Sequence, residues 1–283
     1  MNYNKITIGL VTFKSEKVIF NCLKSIKSIK NIIIFDNSND NKLKIKIKKK
    51  YPNIKFYLSK KNVGYGAGNN IIIKKSKTPY VFILSPDVVL NSNCEKNLLV
   101  GIKKLKNNFS ILSPVSNDKN YRDINISSHS KSLFEVDHVK GFAMLLNKKK
   151  IIQNGMFDEN IFLYLEEIDL CRRLRNAKQK IFINKKSKVF HSGAGSSNLG
   201  LEFDKCRNWH WMWSKFYYNK KYNGFFIATV LGFPKFISSL LKFLFYLLMQ
   251  NRQKKIIYYF RVLGFCNALF GKKSHYRPII KTN

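Results

Sequence analysis

Apolar residues fill positions 6–13 almost without a break, and so do 31–35 and 80–84, while the stretches between them mix apolar and charged positions. Unbroken apolar runs of this length suit strands buried on both faces, and the mixed stretches read as covering helices. The predicted order is strand 6–13, helix 16–29, strand 31–35, a lysine-rich helix, strand 54–58, a glycine-rich turn entering a helix over 64–75, strand 80–84 and helix 95–106. The Asn- and Ser-rich stretch 116–132 reads as a surface loop or lid; strands 134–139 and 142–146, helix 161–174 and strand 181–190 follow. Such alternation predicts an α/β fold, Rossmann-like, with a mostly parallel central sheet and flanking helices. Ligands of such sheets bind at the carboxyl ends of the strands, where strand order reverses. Thr12, Asp36, Asn37 and Asp87 fall at such ends, so one nucleotide site can collect them.

From Arg207 the pattern changes: Trp209, Trp211, Trp213, Phe216, Tyr217 and Tyr218 are interleaved with basic residues, and an apolar run over 225–249 follows. Spanning a bilayer takes about 20 predominantly apolar residues with few charges, and this run is broken by Gly232, Pro234, Lys235 and Lys242. It reads instead as a helical, interfacial extension, Trp and Tyr suiting the headgroup layer and Lys attracting anionic lipid. Packing as ordinary helices is the plainer reading.

A chain of 283 residues suits one large α/β domain with an extension. Its formal charge of +36 draws it toward anions, whether phosphate, acidic lipid or nucleic acid. Runs such as Lys42 to Lys50 are first of all a solvated basic surface, part of a bias toward Lys, Ile and Asn throughout. Five scattered cysteines without Cys-x-x-Cys spacing suit reduced thiols in a cytoplasmic protein. The polar start, residues 1–5, lacks the order of a signal peptide, so the expected location is cytoplasmic.

Four clusters carry chemistry. At Ser85-Pro86-Asp87 a strand stops and presents a carboxylate that could hold a divalent cation on a diphosphate, although a turn or cap aspartate looks the same. The stretch 62–70, with Asn62, Gly64 and Gly66, sets three glycines at spacing two before a helix. That allows close backbone approach to an anionic ligand or simply a tight turn, and it is not the dinucleotide pattern. Glu166, Glu167 and Asp169, with Arg172 and Arg173, concentrate acid in a chain holding only 16 acidic residues. A surface salt-bridge network is the plain alternative there. His191 ends a strand before a small-residue loop and could ligate a metal or serve structurally.

In this order these pieces resemble the inverting nucleotide-sugar glycosyltransferases of the GT-A fold, family 2 type, in their rhamnosyltransferase-like branch. Val11-Thr12-Phe13, Asp36-Asn37-Ser38, the stretch 62–70, Ser85-Pro86-Asp87, Gly141-Phe142-Ala143-Met144, Phe157-Asp158-Glu159, the stretch 166–173 and His191 carry the likeness over residues 6–200. The resemblance implies a catalytic domain over 1–206, with a donor-binding half over 1–115 and an acceptor and base half over 116–206, then the extension 207–283. It implies that Thr12, Asp36 and Asn37 hold the nucleoside, with Asp36 on the base or ribose, and that Asn62, Gly64 and Gly66 shape the donor pocket. Asp87 would bind the metal, Mg²⁺ or Mn²⁺, with His191 as a further ligand; Ser85 stands where the family often has an acid. Glu167 would be the general base, and Glu166, Asp169 and Arg172 acceptor-binding or structural.

The implied reaction moves a sugar, with rhamnose the branch's suggestion, from a dTDP- or UDP-sugar to a lipid-linked or cell-surface glycan in polysaccharide biosynthesis. It proceeds by single displacement with inversion, at the inner face of the cell membrane. Two other classes stand beside it: a basic, aromatic-rich nucleic-acid-binding protein and a non-catalytic scaffold of a polysaccharide assembly. Charge spread along the whole chain and the acidic stretch 158–169 argue against nucleic acid.

Overall fold

The computed structural model describes residues 2–116, 129–193 and 200–278. Most of the predicted loop 116–132 lies outside the described residues. The chain divides into two compact units, Met1–Asp158 with Glu167–Ser197 and Glu159–Glu166 with Asn198–Asn283. The second takes in the short segment before Glu167, which the 206/207 boundary expected from sequence leaves with the first.

In the first unit β1 (Ile6–Thr12), β2 (Asn31–Asp36), β3 (Lys55–Leu58) and β4 (Tyr80–Leu84) alternate with α1 (Glu16–Ser25), α2 (Asn41–Lys50) and α3 (Tyr65–Lys75). Every residue of β1 and β4 is buried, as their apolar runs require. Then come β5 (Val88–Leu90), α4 (Cys94–Leu105), β6 (Ile111–Ser116), β7 (Leu133–Glu135), β8 (Ala143–Asn147), α5 (Lys148–Gln153), α6 (Glu166–Asn176) and β9 (Ile181–His191). The sheet runs β3-β2-β1-β4-β8-β6-β9-β5, with β7 on β9. Strands β3, β2, β1 and β4 are mutually parallel, whereas β8 is antiparallel to both β4 and β6, so parallel pairing dominates only the N-terminal half. Strand order reverses beside β1, and the carboxyl ends of β1, β2 and β4 open on one edge.

Several element boundaries depart from the sequence pattern for identifiable reasons. The helix expected over 16–29 stops at Ser25 because the backbone N–H groups of Lys27, Ser28 and Ile29 donate to the buried carboxylate of Glu95, at 2.9–3.2 Å. The helix expected over 161–174 starts only at Glu166, since Tyr164 and Leu165 hold left-handed φ of 70° and 72°. Strand 134–139 shrinks to three residues. Strand β6 escapes the pattern because Ser113 and Pro114 interrupt its apolar run, with a register shift at Pro114.

The second unit is helical: α7 (Leu201–Leu248), interrupted at Gly224 where φ is 82°, and α8 (Arg252–Leu269). Trp209, Met212, Trp213, Phe216, Ala228, Phe265 and Ala268 form its core. Close packing depends on glycine, since a Cβ at Gly264 would stand 2.2 Å from the Trp209 carbonyl oxygen. The break expected at Gly232 to Pro234 does not occur; the helix runs through Pro234 and breaks at Gly224. Along it lies an 18-residue window of mean hydropathy 1.6, only 11 % buried, which by length and composition suffices to cross a membrane. Phe226 and Leu248 are 79 % and 81 % exposed.

Candidate active site

The turn after β2 is locked from within. Asp36 is fully buried and accepts from Thr12 Oγ1 (2.7 Å), Ser38 Oγ (2.9 Å), Ser38 N (3.1 Å) and Asp40 N (2.9 Å). Four donors fill the acceptor capacity of a carboxylate, so Asp36, expected on the base or ribose, is committed to its own turn. Asn37 staples this turn to the glycine-rich stretch: Nδ2 donates to Gly64 O (3.1 Å), and Oδ1 accepts from Val63 N (3.1 Å). Asn62 Oδ1 accepts from Gly64 N (3.0 Å), and Gly64, at φ 94°, adopts a conformation open to glycine before α3 begins. Gly66 and Gly68 lie inside α3, buried; a Cβ on Gly68 would press on Val11 and Phe35 at 3.0–3.2 Å. The third glycine thus serves close packing of helix on sheet.

A short segment before β8 gathers the rest. Gly141 O accepts from Tyr65 Oη (2.7 Å), and Phe142 O accepts from Ser85 N (2.8 Å). The Phe142 ring stacks on His191, centroids 4.3 Å apart. Strand pairing of Val88 with His191 brings the imidazole to Asp87, Nε2 to Oδ2 3.5 Å. Asp87 is buried, and its Oδ1 has no hydrogen-bond partner. A buried acceptor without a donor is costly, and a divalent cation shared with His191 would satisfy it. Among the described residues no cluster of three or more His, Cys, Asp or Glu could hold an ion, so the remaining ligands would come from the diphosphate and water.

Glu167 sits in the first turn of α6, and a Cβ on Gly141 would contact its Cβ, Cγ and Cδ at 3.5 Å. The side chain keeps partial solvent contact. Burial nonetheless raises its carboxyl above the usual range, opposed by the backbone N–H groups of Glu167 and Ile168 and by Lys140. Asp169 is fully buried and paired with Arg173 (Nε to Oδ2 2.9 Å), whose guanidinium also donates to Asn154 O and Met156 O. Of the roles left open for Asp169, this geometry favours the structural one. Glu166 is buried and Arg172 half-buried. Burial pushes the thiols of Cys22, Cys94, Cys171 and Cys206 up to about 12, which makes them inert at neutral pH.

A model of the glycosyl transferase family 2 domain matches residues 7–169, more than half of the chain. The chain belongs to glycosyl transferase family 2. A family relative, the low-salt glycan biosynthesis hexosyltransferase Agl10 of Haloferax volcanii, is 27 % identical over 192 residues. That match covers 60 % of this chain and 61 % of the relative, so the chain spans about three-fifths of its length. Among solved structures, the mannosyltransferase PcManGT from Pyrobaculum calidifontis, in complex with GDP-Man and Mn²⁺, superposes with a TM-score of 0.60 at 10 % identity. It covers 95 % of this chain and 88 % of that one. S. aureus TarS 1–349 in complex with UDP-GlcNAc gives 0.55 at 16 % identity, covering 96 % and 93 %. These likenesses establish the GT-A fold for this family 2 chain.

Sequence reasoning passed over two members of the assembly. Tyr65 stood in a stretch read for its glycines alone, and Lys140 precedes a matched motif. Their partners, Gly141 and Glu167, lie in distant segments, and no local spacing marks them. Arg173, named with Arg172 as a partner for the acid cluster, pairs with Asp169 at the helical i,i+4 spacing.

Proposed function

We propose that this family 2 chain is an inverting hexosyltransferase that moves a sugar from a nucleotide-diphosphate donor to a lipid-linked or cell-surface glycan. The observation that carries this reading is the unpartnered, buried Oδ1 of Asp87 beside His191, whose ring stacks on Phe142, next to the Gly141 that packs against Glu167. Thr12, Asn37, Asn62 and Gly64 form the donor side. Asp36 contributes by fixing the turn 36–40, and Gly66, buried in the first turn of α3, shapes the donor pocket with Gly64. Asp87 and His191 would hold a divalent ion, which when bound neutralises charge on the departing diphosphate. A carboxylate completed by diphosphate and water oxygens suits either Mg²⁺ or Mn²⁺.

Glu167 takes the proton of an acceptor hydroxyl. That oxygen bonds to the anomeric carbon, and the bond from carbon to the diphosphate oxygen breaks on the opposite face, giving inversion and a nucleoside diphosphate. The base must reach the hydroxyl at about 2.6–3.2 Å. Glu166 and Arg172 stand beside it as candidate acceptor contacts. The donors bound by the structural neighbours are GDP-Man and UDP-GlcNAc, so the donor panel takes in GDP-sugars beside dTDP-rhamnose and UDP-sugars.

The exposed apolar stretch after Gly224, with Lys235 and Lys242 on it, supports peripheral attachment to an anionic membrane. A cytoplasmic site at its inner face completes the reading. The test is thermal stabilisation by UDP-, dTDP- and GDP-sugars with Mn²⁺ or Mg²⁺. A donor-specific, metal-dependent shift in wild type that vanishes in Asp87→Ala supports the site; no shift with any donor refutes it.

A further inference from the structure

Residues 162–165, the short segment leading into α6, end in a strained backbone. Tyr164 and Leu165 are consecutive left-handed residues, at φ 70° and 72°. That conformation crowds Cβ, and residues other than glycine, asparagine or aspartate keep it only where their surroundings dictate it.

The surroundings come from the far end of the chain. Ser214, fully buried on α7, donates from Oγ to the Leu163 carbonyl oxygen (2.7 Å). Arg207, two turns earlier on α7, donates from Nε to Tyr164 Oη (3.0 Å), and Trp211 meets the Tyr164 ring edge-on, centroids 5.4 Å apart. The buried ring of Phe162 lies 4.7 Å from that of His210, and the guanidinium carbon of Arg277, beyond α8, stands 3.8 Å from its centroid. His210 is itself fixed by the Tyr276 carbonyl oxygen, 2.9 Å from Nε2. Positions 207, 210, 211 and 214 follow the i, i+3, i+4, i+7 spacing of a single helix face, so one face of α7 grips Phe162, Leu163 and Tyr164 in turn. Ordinary apolar packing accounts for Phe162. It does not account for hydrogen bonds to a main-chain carbonyl and a phenol in a segment held out of its relaxed conformation directly before α6 starts at Glu166. Glu167 is the next residue, and the direction of that first turn sets where its carboxylate points.

We propose that Arg207 and Ser214 are positioning residues: through Tyr164 and Leu163 they hold the strained turn that fixes the start of α6 and aims Glu167 at an acceptor hydroxyl. The first stretch of α7 then belongs to the catalytic apparatus. The aim at an acceptor rests on the glycosyltransferase reading; the hold on the turn does not.

Tyr164→Phe removes Oη and keeps the ring against Trp211, and Arg207→Leu removes the donor. In the full chain each is expected to lower kcat about 10–100-fold, with the donor's KM and donor-induced thermal stabilisation unchanged. The double variant loses no more than either alone, because both remove one interaction. Arg207→Lys, which keeps a donor for Tyr164 Oη, recovers most of kcat. Asn251→Ala removes the side chain that accepts from Lys254 N at the start of α8 (3.0 Å); it lowers the stability of the same unit and keeps kcat. Unchanged kcat in Tyr164→Phe, additive losses in the double variant, or an equal loss in Asn251→Ala overturns the proposal. If wild type transfers no sugar, the enzymatic reading fails, and amide hydrogen exchange decides the hold on the turn. Exchange at Leu170 and Cys171, whose N–H groups close the first turn of α6, then speeds in Tyr164→Phe and Arg207→Leu but not in Asn251→Ala. Unchanged exchange at those amides overturns the proposal on its own.

Discussion

Burial of Glu167 beside Gly141 sets stability against chemistry at a single residue. Its carboxyl is raised above the ordinary range, so the folded state binds that proton more tightly than the unfolded chain. The resulting stabilisation is present at low pH and is lost as pH rises through the folded value. Glu167→Gln is therefore expected to melt higher than wild type at neutral pH while transfer falls about 10²–10⁴-fold; calorimetry and a transfer assay on the same samples check both. A base must be unprotonated, so kcat should decline as pH falls through the raised value, with the acid limb above the usual carboxylate range. A limb at the ordinary position would remove Glu167 from the role. Glu95 does the opposite kind of work, holding three backbone N–H groups that otherwise end α1 without partners. Glu95→Ala should lower stability by about 3 kcal/mol in urea unfolding and leave donor-induced stabilisation intact.

At the scale of elements, glycine decides how the helices of the second unit meet. Gly264→Ala drives a methyl group into the backbone of Trp209, which cannot rotate away. The expected loss is about 1–3 kcal/mol, seen by hydrogen exchange as faster opening of α7 and α8 with the sheet of the first unit unchanged. The same scale shows why boundaries were harder to read than elements. Strands β1 and β4 follow from unbroken apolar runs. The end of α1 depends on Glu95, remote in sequence, and the start of α6 on two left-handed residues that no propensity anticipates. Pro114 hid β6 because proline is disfavoured in strand interiors.

For the whole molecule, the net charge of +36 and the exposed apolar stretch after Gly224 predict two components of membrane attachment. The electrostatic part weakens as salt shortens the screening length from about 10 Å at 0.1 M to about 3 Å at 1 M, and the apolar part persists. Vesicle binding measured across that range should fall steeply and then level at a residual value. Removal of the residual by Phe226→Ser with Leu231→Ser would assign it to the apolar stretch; complete release by salt in wild type would show that no apolar contact exists.

Sequence alone determined which strands are buried, that helices alternate with them, and that Thr12, Asp36, Asn37 and Asp87 sit at strand ends, because burial and periodicity are written locally. It also marked the acid-rich stretch before Arg173. Tertiary structure decided which of those groups retain capacity for a ligand. Asp36 and Asp87 look alike in sequence, each following an apolar strand, yet folding brings four donors to Asp36 and leaves Oδ1 of Asp87 without one. Likewise Glu167 became the carboxylate raised by burial and Asp169 the one paired with Arg173. Hydrogen-bond capacity is filled by whichever segments arrive in space, and that arrival is a property of the assembled sheet.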